Sequence, residues 1–413
     1  ADPFRDLEND SEATKKWVDE EVAHSQNYLS KIPFRDQIKD QLRDIWNYEK
    51  VSAPFIEGKF IYYYKNNGLQ AQSVLYRSGL GKRKVAEAFL DPNKFSKQGT
   101  TSLSQISFNK KGTLAAYSIS EGGSDWNKII IIDAITKKQI DETLVDVKFS
   151  GISWQGDEGF YYSSYDKPKE GTVLSGMTDK HKVYFHKLGT KQSADQLIFG
   201  GDKTPRRYLG AGVSEDQRYL IISAANATNG NELYIKDLQK GGDFVQINKG
   251  FDINASIVDT DGDDLYIFTD KDAPNMRLMK TTINNPSPET WKDVIPQTEN
   301  VLGISTGGGY FFAPYMIDAI DQVKQFDKTG KLIREISLPG KGNISGFGGK
   351  KEEKELYFSF SNYITPGTTY KFNADTGAAE FFQKPKVKFN PEDYVSEQVF
   401  YTSKDGTKIP MMI

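Results

Sequence analysis

Cysteine is absent from the 413-residue chain, and histidine occurs only three times, as His24, His181 and His186. Without cysteine the chain can form no disulfide, no thiolate nucleophile and no cysteine metal site. His181 and His186 stand five residues apart on a predicted strand, where they would point to opposite faces and make a poor pair of metal ligands. We therefore expect no metal and no other cofactor.

The chain also lacks an excess of charge and a long apolar run. Lys plus Arg number 53 and Asp plus Glu 56, so the net charge is −3 with His neutral. This balance offers no electrostatic footprint for nucleic acid or for a membrane surface, and no segment approaches the ~18 apolar residues of a membrane-spanning helix. The start, "ADPFRD", has neither Met nor a signal peptide, as in a processed secretory protein or a trimmed chain. We expect a soluble protein of the bacterial periplasm or, as second choice, the cytoplasm.

Helical periodicity is confined to residues 1–50. Two amphipathic helices are predicted, the first after a capping Asp10 or Ser11 and the second starting at Pro33. We expect both apolar stripes to pack in a core rather than to hold a cofactor. The stripes comprise Trp17, Val18, Val22 and Leu29 in the first helix, and Phe34, Ile38, Leu42, Ile45 and Trp46 in the second.

From about residue 54 onward a turn, an apolar strand, a loop and a second strand recur, at intervals of roughly 50 residues. One such unit cannot bury both of its faces, and radial stacking of the units solves this problem. The predicted fold class is therefore all-β, a seven-bladed β-propeller preceded by two N-terminal α-helices. The Trp-Asp and Kelch signatures are missing. The seven units span 57–77, 109–133, 155–189, 214–238, 259–283, 307–330 and 350–377.

Two short motifs suggest chemistry that their context does not support. Gly303–Gly307 fits G-x-S-x-G, but a strand follows it and every histidine precedes Ser305, whereas a nucleophile elbow needs a strand-to-helix turn and a later histidine. We expect a loop between blades there, and we assign no catalytic residue. "DTDGDD" (259–264) has its Gly in the fourth position, where a calcium loop needs it in the sixth, so a blade turn is favoured.

The last thirteen residues predict a hairpin, because Asp405-Gly406 between two extended segments is a strong turn signal. Its second strand continues into Met411, Met412 and Ile413, an apolar end that needs a partner surface.

Four segments resemble the prolyl oligopeptidase family of serine peptidases. "DPFRDLEND" (2–10) is similar to the family's start, with Asp6 in place of the usual Trp. "SEGGSDW" (120–126) and "VKFSGISW" (147–154) are similar to two of its propeller segments. "SKDGTKIPM" (403–411) is similar to the stretch where its propeller meets its α/β-hydrolase domain.

The resemblance implies that residues 1–50 form a helical arm of the peptidase domain, that 51–393 form the propeller, and that 394–413 form the first hairpin of a hydrolase domain. The family's Ser, Asp and His follow that hairpin, so we expect this chain alone to be inactive. It would be the arm and substrate-gating propeller of a proline-specific endopeptidase that cleaves short proline-containing peptides after proline, the intact enzyme being a monomer. The alternative is a free-standing propeller that binds peptides or proteins without catalysis.

The resemblance also implies three site residues on the propeller face turned toward the hydrolase domain. Phe149 would edge the substrate cleft, Trp126 would lie on a loop of the same face, and Asp125 would be available to pair with a basic residue across the gap. The alternative is that Trp126 and Phe149 are blade core and that Asp125 merely forms a turn.

Overall fold

The computed structural model describes residues 2–81, 85–167 and 176–413. Within these ranges two α-helices precede the strands, α1 at Glu12–Ser30 and α2 at Arg35–Trp46. The Ser11 hydroxyl accepts a hydrogen bond from the Thr14 amide at 3.1 Å and so caps α1, as predicted. Neither helix has a buried residue. The expectation that both stripes pack in a core is therefore wrong for this chain, because no element within the described ranges covers them.

The described strands form seven larger sheets, the blades, and one separate hairpin. Blade 1 holds β1 Lys50–Val51, β2 Phe55–Glu57, β3 Phe60–Asn66, β4 Val74–Gly79 and β5 Glu87–Leu90; blade 2 holds β6 Thr101–Phe108, β7 Leu114–Glu121, β8 Trp126–Asp133 and β9 Leu144–Lys148; blade 3 holds β10 Ser153–Gln155, β11 Gly159–Ser164, β12 Lys182–Lys187 and β13 Gln196–Gly200; blade 4 holds β14 Tyr208–Val213, β15 Tyr219–Ala225, β16 Asn231–Asp237 and β17 Val245–Asn248.

The remaining blades repeat the same order. Blade 5 holds β18 Ala255–Asp261, β19 Asp264–Thr269, β20 Arg277–Thr282 and β21 Lys292–Ile295; blade 6 holds β22 Val301–Leu302, β23 Ser305–Gly307, β24 Tyr310–Ile317, β25 Ile320–Phe326 and β26 Leu332–Ile336; blade 7 holds β27 Asn343–Gly346, β28 Glu355–Ser361, β29 Thr368–Asn373 and β30 Ala379–Gln383; the hairpin is β31 Gln398–Thr402 and β32 Lys408–Met412. Short 3-10 helices lie at Arg5–Glu8, Pro92–Lys94, Gln192–Ala194, Gly201–Lys203, Pro288–Thr290 and Pro391–Asp393.

Each blade is an antiparallel meander built from one continuous stretch of chain. In blades 1 and 6 the first strand is broken in two, and both halves pair with the next long strand, β3 or β24. The predicted seven-bladed propeller and the terminal hairpin are confirmed. Asp259–Asp264 also forms the predicted blade turn, with Gly262 at φ 58° between β18 and β19.

The prediction of a loop between blades at Ser305 is wrong. Ser305 opens β23 and pairs with Phe312 of β24, so it belongs to the divided first strand of blade 6. Residue patterns do not predict this strand, because it has only three residues and its last residue, Gly307, is followed by two more glycines.

Buried apolar clusters fill the joints between consecutive blades. Six clusters are found among the described residues, and they join blades 1 and 2, 2 and 3, 3 and 4, 4 and 5, 5 and 6, and 6 and 7. The joint between blades 7 and 1, which we call the seam, has no such cluster in these ranges. It is held by polar contacts instead, from Gln383 Nε2 to the Val51 carbonyl at 2.7 Å and from Lys350 Nζ to Glu57 Oε2 at 2.8 Å. A cavity of about 360 Å³ lies beside these contacts.

Candidate functional site

The meander order gives the propeller two different ends. The turns between first and second strands lie at one end, the turn end, while the loops between second and third strands and the blade-to-blade connections lie at the other, the loop end. Asp125 precedes β8 in such a loop, and Phe149 follows β9 in the connection to blade 3. The three residues expected at the partner face therefore all lie at the loop end.

Lys148 brings these three residues together. Its Nζ lies 5.1 Å from the ring centroid of Trp126 and 5.1 Å from that of Phe149, and 3.9 Å from Asp125 Oδ2. Trp126 and Lys148 are direct partners across β8 and β9, which explains the approach. A cation between two aromatic faces is attracted to the electron-rich centre of each ring.

Phe149 is exposed and held in an unusual backbone conformation. Its side chain is 46 % exposed, and its φ of 54° is in the left-handed region that non-glycine residues rarely adopt. The next residue is anchored, since the Ser163 amide donates to Ser150 Oγ at 2.8 Å and Gln105 Nε2 donates to the Ser150 carbonyl at 2.7 Å. The exposed ring is therefore presented by a backbone that has little freedom.

The rings of Tyr165 and Tyr208 lie beside Phe149. We call the group formed by Trp126, Lys148, Phe149, Tyr165 and Tyr208 the aromatic patch. The Phe149 centroid lies 6.3 Å from that of Tyr165 and 6.0 Å from that of Tyr208, both in edge-on geometry. Burial raises the pKa of Tyr165, and Tyr208 adds to this effect. Tyr208 is 54 % exposed, so the patch has an open side as well as a buried one.

The two buried histidines of blade 3 have separate partners. His181 Nε2 lies 3.0 Å from the Lys148 carbonyl, and burial lowers the pKa of His181 against the effect of this hydrogen bond. His186 Nδ1 lies 2.8 Å from Asp195 Oδ1. No serine hydroxyl is hydrogen-bonded to a histidine in the parts of the chain that the structure describes, and no group of His, Asp and Glu suited to a metal ion is found in the same parts.

The turn end carries charged residues that reach across the centre of the ring. The Lys351 amide, in blade 7, donates to Glu215 Oε1 of blade 4 at 3.0 Å, and Lys351 Nζ lies 3.1 Å from Asp259 Oδ1 of blade 5. Burial raises the pKa of Glu215, partly offset by the Lys351 amide. A cavity of about 510 Å³ lies here, lined by residues of blades 1, 2, 3, 4 and 7. These contacts join blade 7 to blades 4 and 5 at the end opposite the aromatic patch.

The sequence did not predict three members of the aromatic patch, Lys148, Tyr165 and Tyr208, or the buried His181 next to it. Lys148 stands directly before Phe149 in "VKFSGISW", but its pairing with Trp126 depends on the strand register. Tyr165 and Tyr208 carried no sequence signal that set them apart from the other tyrosines, and His181 was considered only as one of a poor ligand pair. The only available signal was the Lys148-Phe149 dipeptide itself.

Within residues 2–81, 85–167 and 176–413, no helix is both long and apolar enough to span a membrane.

These elements define the class of protein. It is a seven-bladed β-propeller with a helical arm, a terminal hairpin and an aromatic patch at one end. Residues 1–385 match the family model described as prolyl oligopeptidase, N-terminal beta-propeller domain. The chain belongs to the prolyl oligopeptidase family.

Individual relatives agree with this assignment. Prolyl endopeptidase of Elizabethkingia meningoseptica is 73 % identical over 414 residues, which cover 100 % of this chain and 58 % of that protein. Prolyl oligopeptidase A of Amanita bisporigera is 31 % identical, over 100 % of this chain and 59 % of its own length. A solved prolyl oligopeptidase B of Galerina marginata, bound to a 35mer hydrolysis and macrocyclization substrate, superposes with a TM-score of 0.88 at 27 % identity and covers 100 % of this chain and 61 % of its own. The chain thus spans less than two thirds of these relatives.

Proposed function

We propose that this chain provides the helical arm and the substrate-gating propeller of a proline-specific serine endopeptidase, and that it is inactive by itself. The observation that carries the proposal is the position of three features at the loop end: the arm, the terminal hairpin and the aromatic patch. Lys50 Nζ donates to the carbonyl of Trp46, the last residue of α2, at 2.7 Å and to the Gly68 carbonyl at 3.0 Å. Gln398 of the hairpin donates to the Asp318 carbonyl at 2.6 Å. Gly68 and Asp318 are in second-to-third loops, as Asp125 is.

In this proposal residues 1–49 and 394–413 belong to the peptidase domain and 50–393 form the propeller, which starts one residue earlier than predicted because Lys50 opens β1. The exposed apolar side chains of the arm and hairpin would be covered by the α/β-hydrolase domain. Short proline-containing peptides would bind between that domain and the aromatic patch, where Phe149 and Trp126 offer flat apolar surfaces to a proline ring. The Asp125 side chain is 64 % exposed, which leaves it accessible to a basic residue of the hydrolase domain.

A chimera tests the proposal, with residues 1–413 replacing the matched 58 % of the Elizabethkingia meningoseptica prolyl endopeptidase. We expect the chimera to hydrolyse a short proline-containing chromogenic peptide, to leave a folded protein substrate uncut, and to be a monomer by light scattering. The 413-residue chain alone should show no turnover, because no serine among its described residues is hydrogen-bonded to a histidine.

Two outcomes would contradict the proposal. Turnover by the chain alone that Ser305→Ala abolishes would mean that G-x-S-x-G is catalytic. A folded but inactive chimera, together with peptide binding by the chain alone, would favour the free-standing binding propeller.

A further inference from the structure

His181 lies fully buried behind the aromatic patch, directly before β12. The Leu209 amide nitrogen is 2.9 Å from Nδ1 of the imidazole, and the Lys148 carbonyl oxygen is 3.0 Å from Nε2. A backbone N–H can only donate, so Nδ1 must accept, and Nε2 must then carry the ring proton to donate to the carbonyl. The two contacts together require a neutral imidazole in a single tautomer.

These hydrogen bonds tie blade 2 to blade 4 through a side chain of blade 3. Lys148 directly precedes Phe149, and Leu209 directly follows Tyr208. Each bond therefore fixes the backbone next to one of the two exposed rings of the aromatic patch. Rotation of either peptide group would move the ring next to it. Because His181 binds both the Lys148 carbonyl and the Leu209 amide, it sets the distance between these two groups.

The imidazole is itself held in place. Its ring stacks on Tyr165 with centroids 4.4 Å apart and planes 27° apart. The Gly201 amide donates to the His181 carbonyl at 3.0 Å. At Gly200, which has φ 99°, a Cβ atom would lie only 2.4 Å from that same carbonyl oxygen, so this close approach requires glycine.

We propose that His181 is a positioning residue that sets the spacing of Phe149 and Tyr208 for peptide binding. It is buried and does not touch the peptide. The inference rests on the proposed function, because it assumes that the aromatic patch faces the substrate.

Three variants of the chimera separate the two hydrogen bonds. His181→Gln can keep the donor to the Lys148 carbonyl, His181→Asn can keep the acceptor for the Leu209 amide, and His181→Leu keeps neither. We expect His181→Leu to raise KM for a proline-containing peptide by about tenfold with kcat changed less than about twofold, because the lost interaction serves binding away from the reacting bond. The KM values of His181→Gln and His181→Asn should fall between those of the native chimera and His181→Leu. These two variants test the proposal if His181→Leu does not fold.

His186→Gln is the matched control, since His186 is also fully buried and lies in β12, but contacts Asp195 rather than the residues behind the aromatic patch. It should lower the melting temperature and leave KM at the native value. Native KM in all three His181 variants, or an equal rise of KM in His186→Gln, would overturn the proposal.

Nuclear magnetic resonance of the 413-residue chain tests the same inference without activity. With ¹⁵N-labelled histidine, His181 should show a bare Nδ1 and a protonated Nε2. His181→Asn and His181→Leu should shift the ring signals of Phe149 or Tyr208 and leave those of Phe312, in blade 6, unchanged. An inactive native chimera would contradict the proposed function, while a protonated Nδ1 or unmoved patch signals would contradict the role of His181.

Discussion

At the scale of single residues, Phe149 and Phe312 use the same side chain in opposite ways. Phe312 is fully buried and stacks on Phe347 with centroids 4.9 Å apart, whereas Phe149 is 46 % exposed. We expect Phe312→Ala to cost ~3–5 kcal/mol of unfolding free energy through the cavity it leaves. Phe149→Ala should cost less than about 1 kcal/mol and should raise the KM of the chimera instead. Denaturant unfolding and steady-state kinetics provide the two measurements.

Phe149→Gly is the control for the backbone at this position. Glycine accepts the left-handed conformation that Phe149 adopts at φ 54°, so this variant should be at least as stable as Phe149→Ala. If Phe149→Ala were as destabilising as Phe312→Ala, Phe149 would be part of the blade core after all.

His186 should make the stability of the chain depend on pH. Burial alone would lower its pKa, but the hydrogen bond and charge of Asp195, together with Asp141, outweigh burial and raise the pKa above its usual 6.5. The folded state then holds the proton more tightly than the unfolded state. This stabilisation is complete below about pH 6.5, the unfolded pKa, and is lost as pH rises through the higher folded pKa.

The measurement is the unfolding free energy of native chain and His186→Gln between about pH 5 and 9. Their difference should shrink as pH rises above 6.5. The comparison with the variant matters because His181, whose pKa burial lowers, contributes the opposite slope. A difference that stays constant with pH would show that His186 does not titrate differently on folding.

At the scale of elements, the arm and the hairpin expose apolar surface. Trp46 is 58 % exposed, Ile45 56 % and Ile413 59 %. We expect the 413-residue chain to self-associate, to bind a hydrophobic dye and to lose both ends quickly to protease. A chain trimmed to residues 50–393 should be monomeric and protease-resistant, since the seven blades have their own clusters. Lys50 is kept because it opens β1.

Light scattering and limited proteolysis of the two chains make this test. A monodisperse, resistant full chain beside an unfolded trimmed chain would mean that the arm and hairpin belong to the folding unit of the propeller.

At the scale of the whole molecule, we expect the seam to be the weakest joint of the ring. The other six joints contain buried apolar clusters in the described residues, whereas the seam depends on Gln383, Lys350 and their partners. We expect amide hydrogen exchange to be faster in β3 and β28, which line the seam cavity, than in β11 and β15. Lys350→Ala with Gln383→Ala should raise exchange at the seam by up to about tenfold.

Lys111→Ala is the matched control, because the Lys111–Asp157 ion pair joins blades 2 and 3 across a joint that has an apolar cluster. Exchange in blades 2 and 3 should hardly change in this variant. Equal exchange at all joints would show that the seam is not the weak point.

The number of blades and the two central strands of each blade can be predicted from local patterns of residues. The repeats at 109–133 and 214–238 coincide with β7–β8 and β15–β16, because these strands are covered on both faces and must carry apolar runs such as Ile129–Ile132. The helices and the terminal hairpin were equally readable, since caps, periodicity and Asp-Gly turns act within a few residues.

Which side chains meet and which stay exposed depends instead on how the blades pack in three dimensions. First and outer strands such as β27 and β30 are short and largely exposed, so no periodicity marks them. Lys148, His181 and Tyr208 come from three blades, with His181 33 residues from one hydrogen-bond partner and 28 from the other. Their approach depends on strand register and on the packing of blade against blade, and the helix stripes stay exposed because nothing in the described chain covers them. Such contacts depend on the sum of many distant interactions, which no local pattern of residues records.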